Sequence, residues 1–115
     1  MYVFPIDEVR ALIAALRAGD VRASLDPAQV AAPGVWLRLL PFEHDTLAGV
    51  SLKAEAVCVA PDTTDDAALG VLAGLHDLVV GLVQVDGPCR WQGTILPDNP
   101  TPLPSLVIPV LIETN

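Results

Sequence analysis

Histidine and cysteine are scarce in this chain, two of each in 115 residues, and that scarcity narrows its chemistry. A structural zinc site takes four ligands and a catalytic one three and a water. The candidates Cys58, Cys89, His44 and His76 stand at spacings that match no zinc pattern. Two cysteines make no disulfide framework either. Cys58 falls on the apolar face of an expected strand, where a thiol packs as a small inert hydrophobe. Cys89 follows Pro88 in an expected turn and is the more exposed thiol, with nothing beside it to activate it. His44 sits in the polar run Glu43-His44-Asp45, where three adjacent side chains cannot all turn to one ion. His76 lies next to Asp77 in an expected apolar helix; adjacent helix positions point about 100° apart, so no pair is expected there.

Basic residues are few as well. Six Lys and Arg face 14 Asp and Glu, a formal charge of −8. Phosphate binding needs Lys and Arg to displace counterions, so a nucleic-acid grip is disfavoured, as is adhesion to an anionic membrane surface. The acidity serves solubility, or keeps the surface from sticking to polyanions. Aromatic residues make up 4% and have no basic residues interleaved, so no base-stacking platform is expected. No glycine loop that could cradle phosphate precedes a helix. Asp62, Asp65 and Asp66 resemble a calcium tract but lack the turn glycine and the distal glutamate. The opening residues include Asp7 and Glu8 and no apolar core, so a secretory leader is not expected. The longest apolar run, residues 67–83, is broken by His76 and Asp77 and flanked by acids, which argues against a membrane span. These gaps leave no catalytic residue, metal or cofactor to nominate, and no enzyme activity is expected.

What is abundant is apolar surface. Hydrophobic residues are 52% of the chain and the mean hydropathy is +0.52. One domain of this length cannot hide so much alone, so other chains are expected to cover part of it. Pro5, Asp7 and Glu8 open a helix whose apolar face is Ile6, Val9, Leu12, Ile13 and Leu16, with Gly19 as its stop. A weak strand over 21–25 is broken by Asp26-Pro27, and a strand over 35–40 follows the turn Pro33-Gly34. Residues 41–49 read as a connection. Residues 50–60 alternate most clearly: Val50, Leu52, Ala54, Ala56 and Cys58 share one face, and Val57 and Val59 make the far end apolar on both sides. A second helix starts at Thr63 or Thr64, with Thr63 and Asp66 as a capping box and Leu69, Leu72, Leu75, Val79 and Leu82 as its stripe. Gly70, Gly74 and Gly81 suggest close approach of another element, inside the chain or between subunits. A half-exposed strand over 90–96, a proline-rich linker over 97–104 and a strand over 106–112 complete the chain. Pro109 lacks a donor and points to an edge or a bulge. The expected fold is α+β, a mixed and mainly antiparallel sheet packed on two helices, in the order α-β-β-β-α-β-β and in one domain.

Taken in order, the chain resembles the tail terminator family of long-tailed bacteriophages, the minor tail or tail-to-head joining proteins. The likeness rests on the N-terminal helix running into Val21-Arg22-Ala23-Ser24-Leu25-Asp26-Pro27 and on the strand Val35-Trp36-Leu37-Arg38-Leu39. It rests also on the long strand leading into Ala60-Pro61-Asp62 and on the closing Leu103-Pro104-Ser105-Leu106-Val107-Ile108-Pro109-Val110. The resemblance implies a sheet on two helices and a ring, hexameric in this family, that caps the tail tube, ends its growth and meets the head connector. The implied partners are copies of itself, the tail tube protein and the connector, with DNA passing unbound and no membrane. The implied place is the virion tail or neck, after synthesis in the host cytoplasm. The interface candidates are Trp36, Phe42, Glu43, His44, Asp45, Trp91, Asp98 and Asn99, aromatic or loop residues free to meet a neighbour. Two other readings stand beside this one: another phage neck or connector ring protein, and a small ferredoxin-like ligand-binding domain built on Arg38, Glu55, Arg90 and Gln92. A pocket lined by two or more of those four would favour the last.

Overall fold

The computed structural model describes residues 6–41, 51–97 and 100–113. Its first helix, α1 (Ile6–Ala18), has Asp7 and Glu8 in the first turn and Arg17 in the last, each charge opposing the end of the helix dipole it sits on. Val9, Leu12 and Leu16 are its buried stripe and Ile13 packs beside them, while Ile6 is exposed. Pro5 lies outside the described residues. The stop differs from the sequence expectation. Val21 N–H bonds Leu16 O at 3.2 Å and Asp20 N–H bonds Arg17 O at 3.1 Å, a paired closure in which Asp20, not Gly19, takes the left-handed turn at φ 62°. Aspartate tolerates that conformation better than most residues. Gly19 serves a different need: a Cβ there would stand 3.3 Å from a Leu78 methyl.

Strands β1 (Arg22–Ser24) and β2 (Gly34–Leu39) run parallel, joined by a short 3-10 turn at Pro27–Gln29 that Asp26 caps. Strand β3 (Ser51–Val59) leads to helix α2 (Asp65–Val80), and β4 (Gln84–Val85), β5 (Arg90–Thr94) and β6 (Leu103–Glu113) follow. The six strands form one sheet in the order β1-β2-β3-β6, with β4 and β5 both on the far side of β6. All pairings but the first are antiparallel. The α+β class, the mainly antiparallel sheet and the two helices therefore stand as expected, with β4 as an added two-residue strand.

The alternation of β3 sets the layers. Leu52, Ala54, Ala56 and Cys58 face α1 and α2 together with Val35, Leu37, Ile108 and Val110. Each fully buried Leu, Ile or Val in this layer contributes about 1.5–3 kcal/mol. Helix α2 adds Ala68, Leu72, Leu75 and Val79. Its limits are tighter than its apolar pattern implies. Thr64, not Thr63, is the cap, its hydroxyl accepting from Ala67 N–H at 3.3 Å, so Thr63 and Asp66 form no capping box. Gly81 ends the helix, Leu82 lies beyond it and is exposed, and Leu69 points to solvent. Ala68, which the pattern passes over, holds the buried position in its place.

The other face of the sheet has a smaller core at one end. Val30, Val57, Val59, Leu96, Leu103 and Val107 cluster there, with Ala32 and Trp36 against them. This is the two-sided apolar end expected of β3. Strand β6 begins earlier than the prolines suggest, at Leu103, because Pro104 fits opposite Gly93 with its carbonyl accepting from Ala60 N–H at 2.9 Å. Pro109 sits inside the sheet, paired to Glu55, and not at an edge. The partner strand on its other side is interrupted there: β4 ends opposite Val110 and β5 resumes opposite Val107. Asp86 N–H bonds Pro109 O at 2.8 Å, so the missing donor of Pro109 faces the same interrupted side. The expected irregularity is real, and it is the neighbouring strand that carries it.

Candidate functional site

The half of the outer sheet face left open by the small core carries the only convergence of charge among the described residues. Trp36, Val57, Val107 and Arg90 lie in one row across β2, β3, β6 and β5, and Arg38, Glu55 and Pro109 lie in the next. Glu55 is 6% exposed. Arg38 Nη2 donates to its Oε1 from directly across the strand pair. Arg90 Nη1 reaches over β6 to Oε2 at 2.7 Å. Each carboxylate oxygen thus has its own guanidinium, which is what a buried carboxylate needs to stay charged. The hydrogen bond from Arg90 holds the Glu55 carboxyl below the usual glutamate range against the opposing effect of burial, and the charge and hydrogen bond of Arg38 act the same way. The Arg38 guanidinium also stands 5.8 Å from the centre of the Trp36 ring, within cation–π range.

The triad is a clamp with one exposed side. Both arginine side chains are about half exposed, and each guanidinium has more donors than Glu55 uses. Two cations against one anion make a locally positive spot on a strongly acidic chain. The chemistry available is electrostatic: holding β2, β3 and β5 in register and presenting spare N–H groups to an anion. Glu55 is held ionised with both oxygens occupied, an arrangement unsuited to proton transfer. Gln92 lies on the same face but bonds along its own strand to Thr94 Oγ1, at 3.4 Å. Three of the four polar strand residues therefore converge and the fourth does not.

Neither of two concave regions includes the triad. One, of about 500 Å³, lies between α1, the residues after α2 and the end of β6, with Glu8, Gln84 and Glu113 in its lining. The other, of about 460 Å³, lies against residues 28–32 with Arg22 and Asp62. Among the described residues no three His, Cys, Asp or Glu side chains gather as a metal set. Burial pushes the Cys58 thiol up to about 12, and Cys89 is exposed. His76 and Asp77 do meet, Nδ1 to Oδ1 at 3.1 Å, against the expectation that neighbours on a helix diverge. Both side chains reach around the exposed flank of α2, where no packing holds them apart. Among the described residues no helix is long and apolar enough to cross a membrane.

The interface candidates separate. Phe42, Glu43, His44, Asp45, Asp98 and Asn99 lie outside the described residues. Trp36 packs on the small core, and its Nε1 donates to Leu25 O at 3.2 Å. Trp91 lies on the opposite face at the other side of the sheet and is 64% exposed; Ile95, just past the end of β5, is 63% exposed. Leu69 on α2 is also more than half exposed. Sequence reasoning picked out Trp91, Arg38, Glu55 and Arg90 but had no means to join the last three. Arg38 and Glu55 oppose each other on the paired strands β2 and β3, but β5, which carries Arg90, reaches them only through β6, the last strand of the chain.

Comparison with family models, with curated proteins and with solved structures gives no match.

Proposed function

We propose that the chain is a structural virion protein that assembles into a ring on the end of a phage tail tube, stops tube growth and joins the tail to the head connector. The observation that carries this reading is apolar surface left uncovered in one chain: Trp91, Ile95 and Leu69 stand out from both cores. Large exposed side chains of this kind mark surfaces that other protein covers. The α+β fold with two helices on one sheet face agrees with what the resemblance implies. A net charge of −8 per copy, repeated around a ring of six, suits a passage that DNA must traverse without adhering.

Negative-stain imaging of the chain alone and after mixing with assembled tail tubes tests the reading. Rings in solution or caps on tube ends are expected. A chain that leaves tube ends bare and tube growth unchecked refutes it.

A further inference from the structure

The two edges of the sheet differ in what they leave unsatisfied. At β5 the groups of Arg90, Gln92 and Thr94 turn inward to Val107, Ser105 and Leu103 of β6. In an antiparallel ladder the alternate residues turn their N–H and C=O outward, so Trp91 and Gly93 each direct a donor and an acceptor away from β6. Among the described residues no strand lies beyond them. The side chain of Trp91 stands on the helix side of this edge, 64% exposed, on the face where α2 lies over β3 and β6 and α1 over β1 and β6. An open row of backbone groups with an uncovered tryptophan beside it is chemistry that an extended strand satisfies.

We propose that this strand is β5 of a second copy, paired antiparallel about a two-fold axis through Gln92. The register follows from which residues face outward. Opposing Trp91 to Gly93 of the other copy, and Gly93 to Trp91, makes both outward residues of each strand hydrogen-bonded partners at once. Each tryptophan then lies across a glycine that has Pro102 beside it, 3.0 Å from where a Cβ would stand, so the indole meets the edge of that proline. Arg90 opposes Thr94, so no like charges meet, and the two Gln92 amides face each other on the outer side. A two-fold contact closes at two copies, whereas a ring needs a head-to-tail contact. This pairing therefore goes beyond the ring reading and does not depend on it.

Sedimentation of the free chain is expected to give twice the chain mass. Trp91→Lys sets a charge on the edge, and Trp91→Pro removes the outward N–H while sparing the bonds to β6; each is expected to weaken association at least tenfold. Gln92→Cys in a Cys89→Ser background tests the register. Opposed residues at a non-hydrogen-bonded position have Cα atoms about 4.5 Å apart, within disulfide reach. Mild oxidation is expected to give a covalent dimer, and Lys53→Cys in the same background is expected to give none. Circular dichroism confirms that each variant is folded. A wild-type chain that stays monomeric overturns the proposal, as does a dimer that Gln92→Cys fails to cross-link. Capping of tube ends is read separately by imaging, so failure of the pair and failure of the ring are distinguishable.

Discussion

The edge at β1 and the edge at β5 solve the same problem in opposite ways. β1 is three residues long and Arg17 covers part of its outer side, Nε donating to Ala23 O at 3.0 Å, while Ser24 Oγ accepts from Asp26 N–H at 3.1 Å in the turn that follows. Trp36 Nε1 takes Leu25 O just beyond it. An edge so short and so capped offers a second chain nothing to add to. Among the described residues β5 has no such cover, and its second residue, Trp91, is the largest exposed side chain. One chain thus carries a closed edge beside its first helix and an open edge beside its last strand. Growth of the sheet, if it occurs, has one direction.

The sharpest way to break this comparison is a glycine at each edge. A Cβ on Gly34 would stand 2.4 Å from Ala31 O and 2.6 Å from Arg22 O, both backbone atoms. Gly34→Ala must push β1 from β2, at an expected cost of about 3 kcal/mol by analogy with overpacked cores, read from urea unfolding. A Cβ on Gly93 meets only Pro102 Cβ, at 3.0 Å. Gly93→Ala is expected to cost about 1 kcal/mol, the low end of the same range. Equal costs would show that the β1 edge is no more tightly built than the open one.

The triad connects the two sides, since Arg38 belongs to β2 and Arg90 to β5. Replacing both arginines with alanine leaves Glu55 buried and unpaired, and about 2–3 kcal/mol of stability near neutral pH is expected to go. Glu55→Gln leaves two half-exposed guanidiniums that water can satisfy, and about 1 kcal/mol is expected there. The pH dependence has a definite sign. The folded-state pKa of Glu55 is depressed, so its contribution is complete above the ordinary value of about 4.3 and is lost as pH falls below that through the folded value. Thermal melts between pH 7 and pH 2 are expected to show this loss in the wild type and a smaller one in Glu55→Gln. Arg17→Ala comes next in size. It frees Ala23 O and is expected to cost about 1 kcal/mol, with faster amide exchange confined to β1 and its turn.

Much of this architecture is local in origin and was readable. The period of two in β3, the apolar stripe and end charges of α1 and the turn signals at Asp26-Pro27 and Pro33-Gly34 each act within a few residues. What failed was set by distant partners. The end of α2 is the local exception: Leu82 and Val83 prolong its stripe in phase, yet the helix stops at Gly81, where Leu82 N–H bonds Val79 O at 3.0 Å. β4 is two residues long and exists because Leu111 and Val110 lie opposite it. Pro104 looks like linker and is strand because β5 and Ala60 accept it. The candidate site divides likewise. Arg38 and Glu55 are visible as opposite charges on alternating strands, while the reach of Arg90 to Glu55 depends on the β6 register. Which of the two tryptophans is covered depends on the small core that Leu96 and Leu103 join beside Trp36.

The smallest expected effect has the opposite sign and separates folding from assembly. Gly70 and Gly74 lie one turn apart on α2, and a Cβ on either meets nothing within 4 Å. Packing inside the chain therefore gives neither glycine a reason, though each disfavours the helix by about 1 kcal/mol against alanine. Gly70→Ala and Gly74→Ala are expected to raise stability, by about 0.5–1 kcal/mol each, measured as an upward shift of the thermal midpoint. Among the described residues the expected close approach inside the chain is met at neither position. If a neighbouring subunit comes against this face, the same substitutions are expected to weaken ring or tube association while they strengthen the fold. Stabilised variants that assemble as well as the wild type would leave α2 a bystander and place the contacts at the β5 edge and elsewhere.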